Sequence, residues 1–259
     1  MNGPTKNYPH EDALVMRRAF TLIELLVGSA IIALLLAIML PSLGAARQRA
    51  QAVVCASNHR QLAAAAFNYT NANQESFPLA RDSTADWDFA VATDDTGNAV
   101  RVPGILWQSG GGGAGTAMRI QQCPSYAGRS ATLTDPFTGY NYNTTYIGKG
   151  VGETVQRPAR VAELKHPSST ALFGDGGYYG GVTDKFMRAP EPFPQSPDSL
   201  TSLARAAGTQ AYRHRGAATN VAFADGHAES HTDRFTAGIT IITTTTGFLS
   251  PDNSLYNVQ

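Results

Sequence analysis

The chain has 259 residues, of which 42% are hydrophobic and 15% are charged, so its composition is that of a folded protein and not of a disordered one. Twenty basic residues balance 20 acidic ones. The net charge is therefore zero and favours neither nucleic acid nor anionic lipid as a partner, and no nucleic-acid partner is expected.

The first predicted element is a membrane segment. Residues 1–19 are polar to mixed, and no charged residue occurs between Leu25 and Ala46. As a helix that stretch would reach roughly 33 Å, enough for a bilayer core of about 30 Å. An ordinary cleaved signal peptide has an apolar run of only about 7–15 residues. The apolar half, 20–46, is therefore predicted to span the lipid bilayer.

The helix should continue well beyond the membrane segment. Alanine, leucine, arginine and glutamine dominate the following residues and are strong helix formers, so one helix is predicted over 20–72. Pro41 lies inside it and is expected to bend it. Val54, Leu62, Ala65 and Tyr69 recur near helical spacing and predict a face that packs on the rest of the protein.

The remaining residues, 73–259, predict a β-rich globular domain with long loops. The glycine run 110–115 lacks a following Gly-Lys-Ser/Thr, so it indicates a loop and not a phosphate site. A proline-rich surface loop is predicted over 189–199. The β-prone runs are 169–174, 218–224, 227–232 and 237–247, and the last of them is the strongest strand prediction. The fold class is therefore α+β: a long helix packed on a mainly antiparallel sheet.

Glu24 is unusual because it lies within the apolar segment. A carboxylate there costs a few kcal/mol unless it has a partner or lies near the interface. If the chain is cut between Ala19 and Phe20, the new α-amino group lies about one helical turn from Glu24 and could neutralise it, within one subunit or between neighbours. The alternative is a plain membrane anchor whose glutamate reaches the interface.

The segment Arg17–Leu25, with Phe-Thr-Leu-Ile-Glu-Leu after a basic leader end and a small residue, resembles the signal of type IV prepilins and type II secretion pseudopilins. The resemblance implies cleavage before Phe20 by prepilin peptidase, N-methylation of Phe20 and a role for Glu24 in filament assembly. Pro41 also lies where members of this family often have a helix-bending proline. The family usually has glycine immediately before the cut, where this chain has Ala19, so slower processing is expected.

The same resemblance implies a location and partners. The protein would be a single-pass protein of the bacterial inner membrane with its globular domain extracytoplasmic, and it would enter a filament after assembly. Its partners would be other pilin or pseudopilin subunits and the inner-membrane assembly platform. The sequence thus predicts a structural subunit and not an enzyme. A membrane-anchored extracytoplasmic binding module or hydrolase is the alternative.

A second resemblance lies downstream, to pilin-like proteins with a Cys-x-x-Asn-x-Arg-Gln-Leu helix, here residues 55–62. A late signature of that group is a histidine, nine residues, then Asp-Gly; here ten residues lie between His214 and Asp225-Gly226. Further matches are Tyr69, Phe77-Pro78, 122–125 and 140–143.

The late signature also predicts a β-hairpin. Residues 221–229 alternate around Asp225-Gly226, a preferred pair for a tight turn, and His214 could fold back to hydrogen-bond near that turn. His227, Glu229 and His231 alternate on one strand. With His214 or Asp225 they could bind a divalent ion, but an exposed strand face explains them better, so no metal or other cofactor is expected.

Three further residues carry open alternatives. Cys55 and Cys123 either form a disulfide that closes a loop of roughly 70 residues or remain separate thiols. Asp175 follows an apolar run, where a catalytic carboxylate can lie, but Asp-Gly after a short strand favours a turn. The sequence contains no nucleophile elbow, metalloprotease helix or phosphate loop that would support an enzyme.

Overall fold

The structure is a computed structural model that describes residues 20–108, 120–126, 129–130, 139–149, 157–179, 182–183, 185–190, 202–214, 216–239 and 242–258. The leader with Ala19, the glycine run and most of the proline-rich segment lie outside the described residues. The chain divides into two compact units, Met1–Ala45 and Ala46–Gln259, and helix α1, Leu22–Ala72, belongs in part to each.

In the first unit, α1 exposes its apolar side chains. Leu22, Leu34 and Leu40 are 79%, 64% and 64% exposed. The helix is long and apolar enough to cross a membrane, and its most apolar window is 0% buried, unlike the core helix of a soluble protein. It runs through Pro41 without interruption. The bend expected there stays a prediction.

A reciprocal pair of hydrogen bonds closes the start of α1. The backbone N–H of Thr21 donates to Glu24 Oε2 (2.8 Å), and the backbone N–H of Glu24 donates to Thr21 Oγ1 (3.2 Å). This capping box satisfies two N–H groups that the first helical turn leaves without intrahelical partners. Glu24 therefore stabilises the helix that contains it.

The second unit is rich in short strands. They are β1 Phe89–Thr93, β2 Ala99–Pro103, β3 Arg129–Ser130, β4 Tyr140–Asn143, β5 Ala171–Asp175, β6 Tyr178–Tyr179, β7 Val182–Thr183, β8 Phe186–Met187, β9 Gln210–Ala211, β10 Thr219–Phe223, β11 Ala228–His231 and β12 Thr246–Gly247. A short helix, α2, spans Ser202–Ala207.

The unit is built around a five-stranded sheet with the order β11-β10-β5-β4-β8, antiparallel except for the β4–β8 pair. Three smaller sheets have the orders β1-β2, β12-β9 and β3-β7-β6.

The second half of α1 packs on this sheet, which confirms the α+β fold. The predicted helix face is only partly correct, because Leu62 is buried while Val54 is 49% exposed. The buried residues form one stripe at helical spacing that includes polar side chains: Cys55, Asn58, His59, Leu62, Ala63, Ala66 and Thr70. Ala65 and Tyr69 lie at its border and are partly buried.

Three of the four predicted strands are confirmed as β5, β10 and β11, and the predicted hairpin joins the last two. Gly226 has φ +92° in its turn, a conformation that suits glycine.

The strand predicted over 237–247 is wrong. Ala237 and Gly238 have φ of +48° and +71°, and only Thr246–Gly247 forms a strand; residues 240–241 lie outside the description. The threonine hydroxyls bond locally here, since Thr246 Oγ1 accepts from the backbone N–H of Thr243 (3.2 Å). Such side-chain bonds compete with a sheet ladder.

Candidate functional site

The last residue of β5 is a fully buried carboxylate, Asp175. The preferred interpretation of this residue as part of a turn is therefore wrong. Elements that meet around it supply its partners: α1 carries His59, β10 carries Asn220, and the chain after β9 carries Arg213 and His214.

Both oxygens of Asp175 are occupied. His59 Nε2 lies 3.3 Å and Arg213 Nη2 lies 3.4 Å from Oδ1. His214 Nε2 lies 3.0 Å from Oδ2, which also accepts from the backbone N–H of Asn220 (2.7 Å). A buried carboxylate needs such partners, because burial without them would favour its neutral form.

The charges of this network follow from its contacts. Burial would raise the pKa of Asp175, but the charge of Arg213 and the contacts with His214 and His59 hold it well below its usual value. Burial would lower the pKa of His214, but its contacts with Asp175 and Cys123 outweigh that effect and raise the pKa to about 9. At neutral pH the site therefore combines an ionised Asp175 with cationic Arg213 and His214.

The two cysteines lie against this network. Cys55 Sγ is 3.0 Å from Cys123 Sγ, 3.2 Å from Tyr140 Oη and 3.3 Å from Asp175 Oδ1, and Arg213 Nε donates to Cys123 Sγ (3.3 Å). Both side chains are buried and they are not bonded to each other in the structure. The hydrogen bond from Cys55 lowers the pKa of Cys123 most, and His214 and the charge of Arg213 lower it further. Burial, in contrast, raises the pKa of Cys55.

The late signature does not form the contact expected of it. From the sequence His214 could fold back to hydrogen-bond near the Asp225-Gly226 turn, but in the structure its ring contacts Asp175 and Ser125 instead. Only its backbone forms a bridge, to Ala218. Asp225 pairs with His227 in its own turn, with Nδ1 and Oδ1 2.5 Å apart.

A group of potential metal ligands does occur, but at a different place from the expected one. One ligand atom each from Cys55, Cys123, Asp175 and His214 lie within 4.8 Å of one another. Two thiolates, an imidazole and a carboxylate are donors that zinc accepts.

Within the described part of the chain, His227, Glu229 and His231 form no such group. His231 Nε2 pairs with Glu229 Oε1 at 2.9 Å on the edge strand β11, and His227 pairs with Asp225. The expectation that no metal binds at these residues stays a prediction.

A cavity of about 380 Å³ opens beside His214. Its lining consists of Gln48, Gln51, Ser125, Arg213, His214 and Gly216. Ser125 Oγ lies 3.4 Å from His214 Nδ1, and His214 Nε2 contacts Asp175, so the three side chains have the order of a serine–histidine–aspartate triad. A histidine with a pKa of about 9 already holds its second proton at neutral pH, so it cannot take the serine proton as a general base does.

His59, Arg213 and Asn220 did not emerge from the sequence as site residues. One signal for His59 was available: Cys55 and His59 are four residues apart, so a helix places both on one face. Nothing local to Arg213 or Asn220 distinguishes them from surface residues.

Comparison with known proteins adds one finding. Residues 15–40 match the family model of the prokaryotic N-terminal methylation motif. The chain therefore carries a type IV pilin-like prepilin signal, and its long apolar helix agrees with an inner-membrane anchor. No curated protein and no solved structure matches the chain.

Proposed function

We propose that the chain is a structural subunit of a type II secretion pseudopilus or a type IV-like pilus, assembled through α1. One observation carries the proposal: the methylation motif at residues 15–40 includes the start of helix α1, whose apolar side chains are exposed. Exposed apolar surface of this extent is stable only in lipid or against other subunits.

Processing is the first step of the proposal. Prepilin peptidase removes residues 1–19 by cutting between Ala19 and Phe20, and the new amine of Phe20 is methylated. Phe20 is 84% exposed and lies two residues before α1 begins at Leu22. The new N-terminus at Phe20 would therefore lie just before the helix begins.

Glu24 then guides assembly. Its Oε2 accepts from both the backbone and the hydroxyl of Thr21, which fixes the carboxylate at the start of α1. Oε1 is left to accept from the amine of Phe20 in a neighbouring subunit. In a medium of low dielectric such a contact between opposite charges is strong, and it would set the axial register of adjacent helices.

Burial of apolar side chains supplies the cohesion of the filament. Compared with a subunit released into water, each large side chain buried in the filament contributes about 1.5–3 kcal/mol. Before assembly the apolar half, 20–46, is held in the bilayer of the inner membrane, and residues 73–259 form the extracytoplasmic domain. The partners are prepilin peptidase, the assembly platform and other subunits.

Two measurements test this function. Mass spectrometry of the mature chain should find N-methylated Phe20 as its first residue. Glu24→Ala should still be cleaved but should fall about tenfold or more in the sheared filament fraction, while Glu229→Ala, which removes an exposed acid of β11, should assemble normally. A mature chain that starts elsewhere, or undiminished assembly of Glu24→Ala, would contradict the proposal.

A membrane-anchored binding module or hydrolase is the second candidate, and the cavity beside Ser125 and His214 is the observation that favours it. The protonated state of His214 counts against hydrolysis, as argued above. An intact leader on the mature protein would favour this candidate over a filament subunit.

A further inference from the structure

We propose that Cys55 and Cys123 form a disulfide when the globular domain reaches an oxidising compartment, and that this bond fastens α1 to the segment before β3. The compartment is an inference that rests on the proposed extracytoplasmic placement of the domain. The pairing itself rests on the contacts around the two sulfur atoms.

Hydrogen bonds on both sides of Cys55 hold the Cys123 segment against α1. Gln51, one turn before Cys55, donates to the carbonyl of Pro124 (3.0 Å), and Asn58, one turn after it, donates to the carbonyl of Gln122 (3.5 Å). Cys123 is thus placed opposite Cys55, and the sulfur atoms lie 3.0 Å apart. An approach of about 1 Å brings them to the length of a disulfide bond.

The neighbours of Cys123 favour its reaction. Arg213 Nε donates to Cys123 Sγ at 3.3 Å, and a cationic partner stabilises the thiolate, which is the nucleophile in disulfide exchange. Because both cysteines are buried in the folded domain, the oxidant would reach Cys123 during a local opening that leaves Arg213 beside it.

The reaction balances with a disulfide-bearing oxidant of the compartment. The Cys123 thiolate attacks one sulfur of the oxidant, forms a mixed disulfide and releases the first oxidant thiolate. The Cys55 thiolate then attacks the Cys123 sulfur and releases the second. Two protein thiols lose two electrons and two protons, and the oxidant disulfide becomes two thiols.

A metal is the competing use of the same sulfur atoms, and the contacts disfavour it. Two thiolates on a tetrahedral zinc at about 2.3 Å would be about 3.8 Å apart, farther than the observed 3.0 Å. The guanidinium of Arg213 lies against Cys123 and Asp175, where it would repel a cation. Asp175 would also have to release donors that already occupy both its oxygens.

The test uses the full chain extracted from membranes under denaturing conditions with a thiol-blocking maleimide. We expect no maleimide added before reduction, two after it, and a cross-linked peptide that contains Cys55 and Cys123. Cys55→Ala and Cys123→Ala assign the peptide. Either substitution can disturb the core, so the conclusion depends on the maleimide counts and the cross-linked peptide of the wild-type chain. Zinc bound to the isolated chain with both thiols free would overturn the proposal.

Two further arms separate this inference from the proposed function. In the first, protease access to the globular domain in spheroplasts shows on which side of the membrane the domain lies. In the second, the detergent-solubilised full chain is refolded in a glutathione buffer, which tests whether Cys55 and Cys123 pair in an oxidising solution. Two free thiols on an outward domain overturn the disulfide and leave the filament role intact. An inward domain overturns the proposed placement, and the glutathione arm then decides the pairing: a bridge supports it and its absence overturns it.

Discussion

Replacement of Asp175 by asparagine should destabilise the globular domain strongly. Asp175→Asn keeps the shape of the side chain but removes the charge that compensates Arg213 and His214 in a fully buried position. Removing one partner of a buried ion pair costs about 3–5 kcal/mol, because the remaining charge is left uncompensated. A domain of this size is stable by about 5–15 kcal/mol in total, so this single change would remove a large share of it.

Denaturant unfolding of the full chain in detergent micelles measures this effect. Trp87 is buried against Phe173, with ring centroids 5.3 Å apart, and its fluorescence reports the core. Asp252→Asn is the matched control, since Asp252 is an exposed acid bonded only within its own turn. An Asp175→Asn variant within about 1 kcal/mol of wild type would show that this carboxylate does not hold the network together.

Three further predictions follow from the same contacts. In the reduced protein, where Cys123 contributes to the shift, His214 has a pKa of about 9, above its unfolded value. Its contribution to stability is therefore full below about pH 6.5 and is lost as pH rises through 9. At most about 3 kcal/mol should disappear in pH-dependent unfolding under reducing conditions, and His214→Gln should flatten the curve. If the Cys55–Cys123 disulfide forms, reductant should lower the free energy of unfolding by about 4 kcal/mol in wild type and not in Cys55→Ala. Gly226→Ala should cost about 1 kcal/mol in the same assay because of the φ of +92°, whereas Gly44→Ala, in the middle of α1, should cost nothing.

The features that the sequence predicted correctly are those that depend on local patterns. The composition of α1 and the Asp225-Gly226 turn each favour one conformation without help from the rest of the chain. The threonine-rich run at 237–247 fails for a reason that is also local: β-propensity counts threonine as a strand former, but its hydroxyl can bond the backbone in a turn instead.

The network around Asp175 could not be predicted, because each of its members had an ordinary local interpretation. His214 precedes Asp225-Gly226 at a family-like spacing, so sequence distance suggested a contact with the turn. In the structure β10 lies between β5 and β11 and pairs with both, and His214, which precedes β10, contacts Asp175 on β5. Only the pairing of strands that are distant in sequence determines whether His214 contacts the turn or Asp175.

The position of the network explains why a buried helix face carries polar residues. Asn58 and His59 would be costly on a face that only packed on apolar side chains, yet each has a partner across the interface, the hydroxyl of Tyr140 for Asn58 (3.0 Å) and Asp175 for His59. Apolar packing alone would tolerate rotation of α1 on the sheet, whereas directional bonds to a buried carboxylate do not. In the proposed filament role, a subunit that packs through its N-terminal helix would need this fixed attachment, and His214, through Asp175, would help to provide it.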